Sequence, residues 1–301
     1  MKTACIISLG CKVNQYEGNQ IMRRYADDGY EIATNWVDGA DVYVVNTCCV
    51  TAHAEKKSRN AVARARRLAG ENPVIVCGCA GDRSVNDCQT AHAIQPRQRA
   101  FIKVQDGCNN FCSYCIVPYL RGRSRSRPID DVIAEVRANN KPTVIAGIDL
   151  SSYGLDFAPA VTLADLCVAV DECNVPFELS SIEVGIITPA FMETLRACKN
   201  FVPKFHVPLQ SGSDKVLRDM NRKYTSAKFL AALDCVRKYF PTAQISTDVI
   251  FGFPTETPED LEQTHDVIRR AKFFHVHAFP YSNRHLERFR LQISTKCDTV
   301  S

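Results

Sequence analysis

Strand-like and helix-like segments alternate along most of this chain of 301 residues. Three short apolar runs, 3–9, 41–47 and 73–76, are separated by two longer stretches with helical character, 14–29 and 51–70. Consecutive strands joined by helices pair in parallel, because a parallel connection has to cross over the sheet. The alternation therefore predicts an α/β fold that begins with an open parallel sheet in residues 1–99.

A second alternating series begins at Ala100 and predicts another α/β domain over residues 100–283. Its predicted strands are 101–105, 143–148, 177–182, 204–209, 244–250 and 273–279. Its predicted helices are 128–139, 162–173, 189–198, 213–220, 226–239 and 258–271. Six such strand–helix units fit a partial (β/α)6 barrel, and barrels of this kind place their chemistry at the carboxyl ends of the strands.

Cysteines follow the three amino-terminal strands, at or just beyond the point where each strand ends. This strand-end trio is Cys11, Cys48 and Cys79. Ligands of open parallel sheets bind beyond the carboxyl ends of the strands, so the trio can converge although its members are far apart in sequence. Cys49 is an alternative to its neighbour, whereas Cys5 and Cys77 lie inside strands and are expected to pack there. Simple packing of the trio itself stays open as the other interpretation.

Three more cysteines follow the first strand of the second series with the spacing C-x3-C-x2-C. This loop trio is Cys108, Cys112 and Cys115. Three thiolates suit a four-iron cluster with one iron left open, whereas a structural zinc ion usually takes four ligands. A zinc site and a group of unliganded cysteines are the alternative interpretations. The total of 15 cysteines is odd and the start of the chain is a poor export signal, so we expect reduced thiols in the cytoplasm.

The overall composition restricts the function less than these spacings do. With 46% hydrophobic and 23% charged residues, the chain has the composition of a globular protein. No apolar run approaches the roughly 18–20 residues of a membrane span, so we expect no membrane partner. The formal net charge of +4 is too small to predict a nucleic-acid partner by itself.

Basic residues are nevertheless concentrated in two places. The loop after the loop trio contains Arg121, Arg123, Arg125 and Arg127. The predicted helix 51–70 contains Lys56, Lys57, Arg59, Arg64, Arg66 and Arg67. Guanidinium groups suit phosphate backbones, so both clusters are candidates for contact with RNA, and a solvated face is the alternative for each.

Several segments together resemble a known enzyme family. Ser8–Glu17, Asn46–Cys48 and Gly78–Cys79 are similar to the three cysteine motifs of the methylthiotransferase amino-terminal domain. With Gln105–Cys115 and Arg121–Arg127, they resemble radical S-adenosylmethionine (SAM) methylthiotransferases, and most of all the bacterial tRNA threonylcarbamoyladenosine (MtaB-type) enzymes. The resemblance covers residues 1–80 and about 100–283, and it implies a radical SAM partial barrel in the second domain.

The resemblance also implies the cofactors, which are SAM and two [4Fe-4S] clusters. The strand-end trio would hold an auxiliary cluster, and the catalytic loop trio would hold the cluster that cleaves SAM. Other positions that match SAM-contacting segments of the family are Tyr114, Gly147, Ser181, Glu183, Gln210, Asp248, Ile250 and Gly252. Ordinary core and turn positions are the alternative for these residues. His206, His275 and His277 are expected to be structural rather than metal ligands.

In the implied reaction, an electron from the loop cluster cleaves SAM, and the deoxyadenosyl radical removes hydrogen from C2 of a modified adenosine beside the tRNA anticodon. The auxiliary cluster supplies sulfur and a second SAM supplies the methyl group. A flavodoxin or ferredoxin-type protein is the implied electron donor. Methylthiolation of isopentenyl-adenosine tRNA or of a ribosomal protein stays open as an alternative.

Two stretches depart from the family pattern. Residues 81–99 form a shortened polar connection where the family usually continues with further helix and strand. Residues 284–301 form a divergent tail, where the family normally continues into a carboxyl-terminal RNA-binding β-barrel that we expect to be absent. These departures favour one further alternative, which is a non-catalytic remnant that keeps its iron–sulfur clusters.

Overall fold

The computed structural model describes residues 1–81 and 98–283. Within these residues the chain forms two compact units, the first made of 1–81, 115–121 and 282–283, and the second of 98–114 and 122–281. Nearly all of the predicted connection 81–99 and the whole predicted tail 284–301 lie outside the described residues. The prediction that the carboxyl-terminal barrel is absent also concerns the part of the chain outside these residues.

The first unit is the predicted open parallel α/β sheet. Its elements are β1 (Thr3–Ser8), α1 (Lys12–Asp27), β2 (Glu31–Ala33), β3 (Val42–Thr47), α2 (Ala52–Ala69), β4 (Val74–Gly78) and, further along the chain, α3 (Val117–Arg121). The strands are parallel and lie in the order β2-β1-β3-β4. The sequence did not predict β2, because three residues at a sheet edge are too few for a periodic pattern.

Strand alternation gives this sheet a hydrophobic core on each face. Ala4 and Ile6 of β1 pack with Ile21 of α1, whereas Tyr43 and Val45 of β3 pack with Ala61, Ala65 and Ala69 of α2. Cys5 and Cys77 are buried in these cores, in the packing positions that the sequence predicted. The two crossover helices therefore cover opposite faces, and the carboxyl ends of β1, β3 and β4 share one edge.

The second unit is a partial (β/α)6 barrel, as predicted. Its elements are β5 (Ala100–Asp106), β6 (Arg125–Ser126), α4 (Ile129–Asn139), β7 (Thr143–Gly147), α5 (Leu163–Asp171), β8 (Phe177–Leu179), α6 (Pro189–Ala197), β9 (Lys204–His206), α7 (Asp214–Asp219), α8 (Ser226–Tyr239), β10 (Gln244–Phe251), α9 (Pro258–Ala271) and β11 (His275–Pro280). Threonine or serine side chains cap α5, α6, α7, α8 and α9 at their amino ends.

The barrel strands pair in parallel in two groups that isolated bridges connect. β5, β7 and β8 form one group, with the short β6 antiparallel to β5, and β9, β10 and β11 form the other. The parallel bridges Phe177–Phe201 and Ser181–His206 link the side of β8 to the side of β9. The six parallel strands therefore follow their sequence order around the barrel.

Among the described residues, no helix has both the length and the apolar character that a membrane crossing requires.

Candidate metal centres

The strand-end trio converges at one edge of the first sheet. Gly10 follows β1 with φ of +104°, and a β-carbon there would lie 2.6 Å from Cβ of Cys48. Cys11, the next residue, places its Sγ 3.3 Å from Oδ1 of Asn14, and Sγ of Cys79 lies 4.0 Å from the same oxygen. The ends of three strands therefore bring Cys11, Cys48 and Cys79 to one small region, as the sequence predicted.

Hydrogen bonds among the thiols make their acidities unequal. The Cys48 thiol donates to the sulfur of Cys79, which raises the pKa of Cys48 and lowers the pKa of Cys79 well below its ordinary value. Cys49 also donates to Cys79, and nearby Arg121 lowers the pKa of Cys79 further. Burial raises the pKa of the third thiol, Cys11, so of the three thiols only Cys79 has a lowered pKa.

A buried amide network holds the backbone around the trio. Asn14, which is fully buried, donates to the carbonyl of Thr47 at 2.8 Å. Asn46 donates to the carbonyl of Asn14 at 2.7 Å and to the hydroxyl of Ser8 at 3.1 Å. The Cys79 N–H donates to the carbonyl of Thr47 at 3.0 Å. The Thr47 hydroxyl also donates to the carbonyl of Cys77 in β4, so side chains join the ends of β1, β3 and β4 in addition to the sheet itself.

Arg121 is a member of this site and not of a solvent-exposed surface. It is 1% exposed and forms a bidentate ion pair with Glu17, with N–O distances of 2.8 and 3.0 Å. Its Nε and one terminal nitrogen each lie 3.4 Å from Sγ of Cys79. This arginine is therefore not available to a phosphate backbone, contrary to the expectation from the sequence.

The strand-end trio fits an iron–sulfur cluster better than a packing role. Its three soft sulfur donors lie together, and the Arg121 guanidinium beside Cys79 supplies positive potential that helps to lower the pKa of that thiol. α3 covers this region, because Ile116 and Leu120 pack against Cys49 and Cys79. Such an environment suits a cluster that is partly shielded from water.

The loop trio begins in the second unit, directly after β5. Gly107 adopts φ of +74° and Cys108 donates its N–H to the carbonyl of Gly122 at 3.1 Å. The Cys108 sulfur lies 3.8 Å from Oδ2 of Asp149, and the N–H of Asn110 points to the same sulfur at 3.4 Å. Cys115 is half-buried and opens the segment that leads into α3 of the first unit.

A buried arginine also contacts the second cysteine of the loop. Arg222 donates to Sγ of Cys112 at 3.4 Å and forms an ion pair with Glu183. Its Nε lies 3.2 Å from the hydroxyl of Tyr224, which donates in turn to the carbonyls of Pro208 and Leu209. Cys112 therefore has a fixed cationic neighbour.

A cavity of about 260 Å³ opens beside Cys112. Its charged and hydroxyl-bearing lining residues are Asp149, Ser151, Ser152, Glu183, Arg222, Lys223, Tyr224 and Lys228. Burial raises the pKa of the Asp149 and Glu183 carboxyls above their ordinary values. SAM carries an amino group, a sulfonium and a carboxylate, so a cavity with both acidic and basic walls next to a cysteine sulfur fits it.

The structure places the predicted SAM-contacting residues in several groups around the carboxyl ends of the barrel strands. Glu183 lines the cavity, and Gly147 ends β7 where a β-carbon would lie 3.0 Å from the Gln105 side chain. Tyr114 and Ile250 pack against the apolar cluster that contains Phe253. These placements leave SAM contact by Gly147, Tyr114 and Ile250 as predictions.

The remaining predicted positions lie near β9 and β10. Ser181 and Asp248 contact the two ring nitrogens of His206, at 2.8 and 3.1 Å. Gln210 adopts φ of +64° and pairs with β10, and Gly252 adopts φ of +72° at the end of that strand. SAM contact by these four residues also stays a prediction.

The histidines were expected to be structural. His277 joins His206 and Asp248, and the possible ligand atoms of the three lie within 4.8 Å of one another. Both ring nitrogens of His206 have protein partners, Ser181 and Asp248, and the structural role of the histidines stays a prediction.

The other loop arginines differ from Arg121. Arg123 and Arg125 are exposed, and Arg123 lies over the ring of Phe111 at 4.8 Å. Arg127 is half-buried and donates to the Glu135 carboxylate and to a backbone carbonyl. In the first unit, all six basic residues predicted on the 51–70 helix are exposed and lie along α2 beyond its first turn. Arg123 and Arg125 are thus the loop residues best placed for phosphate.

Sequence reasoning missed several side chains that complete these sites. Asn14 and Glu17 lie inside the Ser8–Glu17 motif, so their position beside Cys11 was a signal that could have been used. Asp149 follows Gly147 closely at a strand end, which was a weaker signal. Arg222 and Tyr224 come after α7, where no spacing connects them with the loop trio.

A partial (β/α)6 barrel with three cysteines following its first strand defines a radical SAM enzyme. Two family models match the chain, "Radical SAM superfamily" over residues 102–268 and "Uncharacterized protein family UPF0004" over residues 3–96. A solved radical S-adenosylmethionine methyltransferase, TsrM from Kitasatospora setae, is similar in fold with a TM-score of 0.64 and 14% identity. That similarity covers 93% of this chain and 75% of TsrM.

Curated relatives identify the family more closely. The threonylcarbamoyladenosine tRNA methylthiotransferase MtaB of Chlamydia pneumoniae is 36% identical, over 93% of this chain and 74% of the relative. The tRNA-2-methylthio-N(6)-dimethylallyladenosine synthase of Desulfitobacterium hafniense is 29% identical, over 94% and 75%. The chain belongs to the radical SAM tRNA methylthiotransferases, of the MtaB type. It is therefore a transferase whose cofactors are SAM and [4Fe-4S] clusters.

Proposed function

We propose that this protein adds a methylthio group to C2 of N6-threonylcarbamoyladenosine next to the tRNA anticodon. Sequence identity supports this substrate, because the MtaB relative is more similar to the chain than the dimethylallyladenosine synthase is. The observation that carries the proposal is the convergence of the strand-end trio. Cleavage of SAM needs only the loop trio, so the second group of three cysteines is available to hold the cluster that methylthiolation needs as its source of sulfur.

The two trios have separate tasks in this proposal. The cluster on the loop trio would supply the electron that cleaves SAM. The cluster on the strand-end trio would supply the sulfur. Arg222 keeps Cys112 beside a positive charge, and its pairing with Glu183 fixes one wall of the cavity. Asp149 and Glu183 face the space where the cationic groups of SAM would lie. A flavodoxin or ferredoxin-type protein is the proposed source of electrons.

Recognition of tRNA is assigned to exposed basic side chains. In the second unit these are Arg123 and Arg125, and in the first unit they are the lysines and arginines of α2. Contacts of this kind position a nucleic acid without reading its sequence. Arg121 is left out of this surface because it is buried against Glu17 and Cys79.

The proposal is tested by the nucleosides of tRNA. The chain is expressed in a bacterial strain that lacks its own methylthiotransferases, and digested tRNA is analysed by mass spectrometry. We expect the methylthio derivative of threonylcarbamoyladenosine, and its loss in the Cys108→Ala variant. Methylthiolation of isopentenyl-adenosine alone would assign the other tRNA substrate, and no modified nucleoside at all would contradict the proposal.

A further inference from the structure

The Arg121–Glu17 ion pair is buried, and its burial calls for an explanation. Both side chains are 1% exposed and both belong to the first unit, where the pair is bidentate. Removing two charges from water costs about as much as their attraction returns, so apolar residues of similar size would stabilise the fold at least as well. Stability alone therefore does not explain why an arginine and a glutamate lie here.

The guanidinium has a second partner that does explain its position. Two of its nitrogens lie 3.4 Å from Sγ of Cys79, and both terminal nitrogens also donate to the Glu17 carboxylate. Arginine presents its donors in one rigid plane, so the pairing with Glu17 fixes the direction in which the remaining N–H groups point. That direction is toward a sulfur of the strand-end trio.

N–H donors aimed at a ligand sulfur change the energetics of an iron–sulfur cluster. The reduced cluster carries one more negative charge than the oxidised cluster, so a nearby cation and hydrogen bonds to sulfur favour reduction. The effect is larger where water is excluded, because buried charges are poorly screened. Ile116 and Leu120, which precede Arg121 in sequence, pack against Cys79 and provide part of that exclusion.

We propose that Arg121, held in place by Glu17, is a positioning residue that donates to the Cys79 ligand and raises the reduction potential of the auxiliary cluster. The inference rests on the proposed function, in which Cys79 is one of the ligands of that cluster. Glu17 has the opposite electrostatic effect, because its negative charge offsets most of the charge on Arg121. The two partners therefore have predicted effects of opposite sign.

The experiment uses the full-length chain with the loop cysteines replaced by Ala, so that only the auxiliary cluster gives a signal after anaerobic reconstitution. Its potential is measured by redox titration followed by electron paramagnetic resonance. In Arg121→Gln we expect the ratio of reduced to oxidised cluster at a fixed potential to fall about tenfold, which is about 59 mV for one electron. In Glu17→Gln we expect the ratio to rise.

The control is Arg23→Gln, which removes an exposed arginine from α1 and should leave the potential unchanged. If Arg121→Gln loses its iron, Arg121→Lys replaces it, since a lysine keeps the charge but lacks the fork of donors. A lowered potential in the variant that keeps its iron supports the inference. An unchanged potential in that variant, or shifts of the same sign for Arg121→Gln and Glu17→Gln, overturns it.

Failure of the proposed function would give a different result. If the chain with intact strand-end cysteines binds no iron once the loop cysteines are replaced, the assignment of the auxiliary cluster is wrong and the inference fails with it. If the auxiliary cluster forms normally but its reduction potential does not change when Arg121 is replaced, the assignment of the cluster to the strand-end trio stands. Only the proposed role of Arg121 is then wrong.

Discussion

Gly10 and Cys48 are in such close contact that only glycine fits at position 10. A β-carbon on Gly10 would lie 2.6 Å from Cβ and 3.0 Å from Sγ of Cys48. The residue also has φ of +104°, a conformation that other residues rarely adopt. The turn after β1 is therefore shaped around the cysteine that follows β3, and this contact brings Cys11 close to Cys48.

Gly10→Ala should displace Cys48 and disrupt the auxiliary cluster alone. We expect iron to fall from about eight to about four atoms per chain, because each four-iron cluster needs its own thiolates. Iron analysis after anaerobic reconstitution measures the change. Gly39→Ala is the matched control, since Gly39 also has positive φ but no described heavy atom lies within 4 Å of its would-be β-carbon. Equal iron loss in both variants would mean that backbone strain, and not the contact with Cys48, causes the loss.

Asn46→Ala should lower the free energy of unfolding by about 1–3 kcal/mol. Asn46 is fully buried, and its removal takes one of two side-chain donors from the Asn14 carbonyl, which keeps the Ser8 hydroxyl, and removes the amide that donates to Ser8. Urea unfolding followed by circular dichroism measures the difference. Asn60→Ala, at an exposed position of α2, should change the same quantity little. A loss in Asn46→Ala no larger than in the control would show that the network does not stabilise the fold.

Asp260 should make the second unit less stable in acid. The hydroxyl of Ser213 and the N–H of Thr257 donate to its carboxylate and lower the pKa of Asp260 to about 2. The ionised form is favoured in the folded state, so its contribution is present above about pH 4 and is lost as pH falls toward 2. The stability difference between wild type and Asp260→Asn, measured by urea unfolding, should shrink between pH 5 and pH 2.5. A constant difference would contradict this.

The exposed loop arginines should contribute to tRNA binding through phosphate. Replacing Arg123 and Arg125 by Ala should weaken binding and reduce the slope of log K against log salt by about two, since each phosphate contact contributes about 0.9. Filter binding at several salt concentrations measures the slope. The double variant Arg269→Ala/Arg270→Ala, on the exposed face of α9, is the control for a general loss of charge. Equal slopes for the two double variants would show that Arg123 and Arg125 are solvated surface residues that do not contact phosphate.

Much of the fold follows from local sequence, and the sites follow from it in part. The alternation of strands and helices predicts both α/β folds, although residues 115–121, predicted in the second domain, belong to the first unit. The position of each cysteine at a strand end predicts that Cys11, Cys48 and Cys79 meet. Short elements such as β2 and α3 were missed because three to five residues give no period. Their placement depends on tertiary packing.

The loop arginines show why the rest could not be predicted. In sequence, Arg121 and Arg123 have equivalent surroundings, yet one is buried and the other is exposed. The difference arises from Glu17, which is 104 residues away and reaches Arg121 only in the folded first unit. Arg222 and Cys112 are likewise 110 residues apart, and no local pattern links them.

The division of labour between the two trios is tested most directly in one reaction mixture. Reconstituted enzyme is given SAM, dithionite and threonylcarbamoylated tRNA, and both deoxyadenosine and methylthiolated nucleoside are quantified by mass spectrometry. We expect Cys108→Ala to form neither product, because Cys108 is a proposed ligand of the SAM-cleaving cluster. We expect Cys11→Ala to form deoxyadenosine but no methylthiolated nucleoside. Loss of deoxyadenosine in Cys11→Ala as complete as in Cys108→Ala would contradict the account.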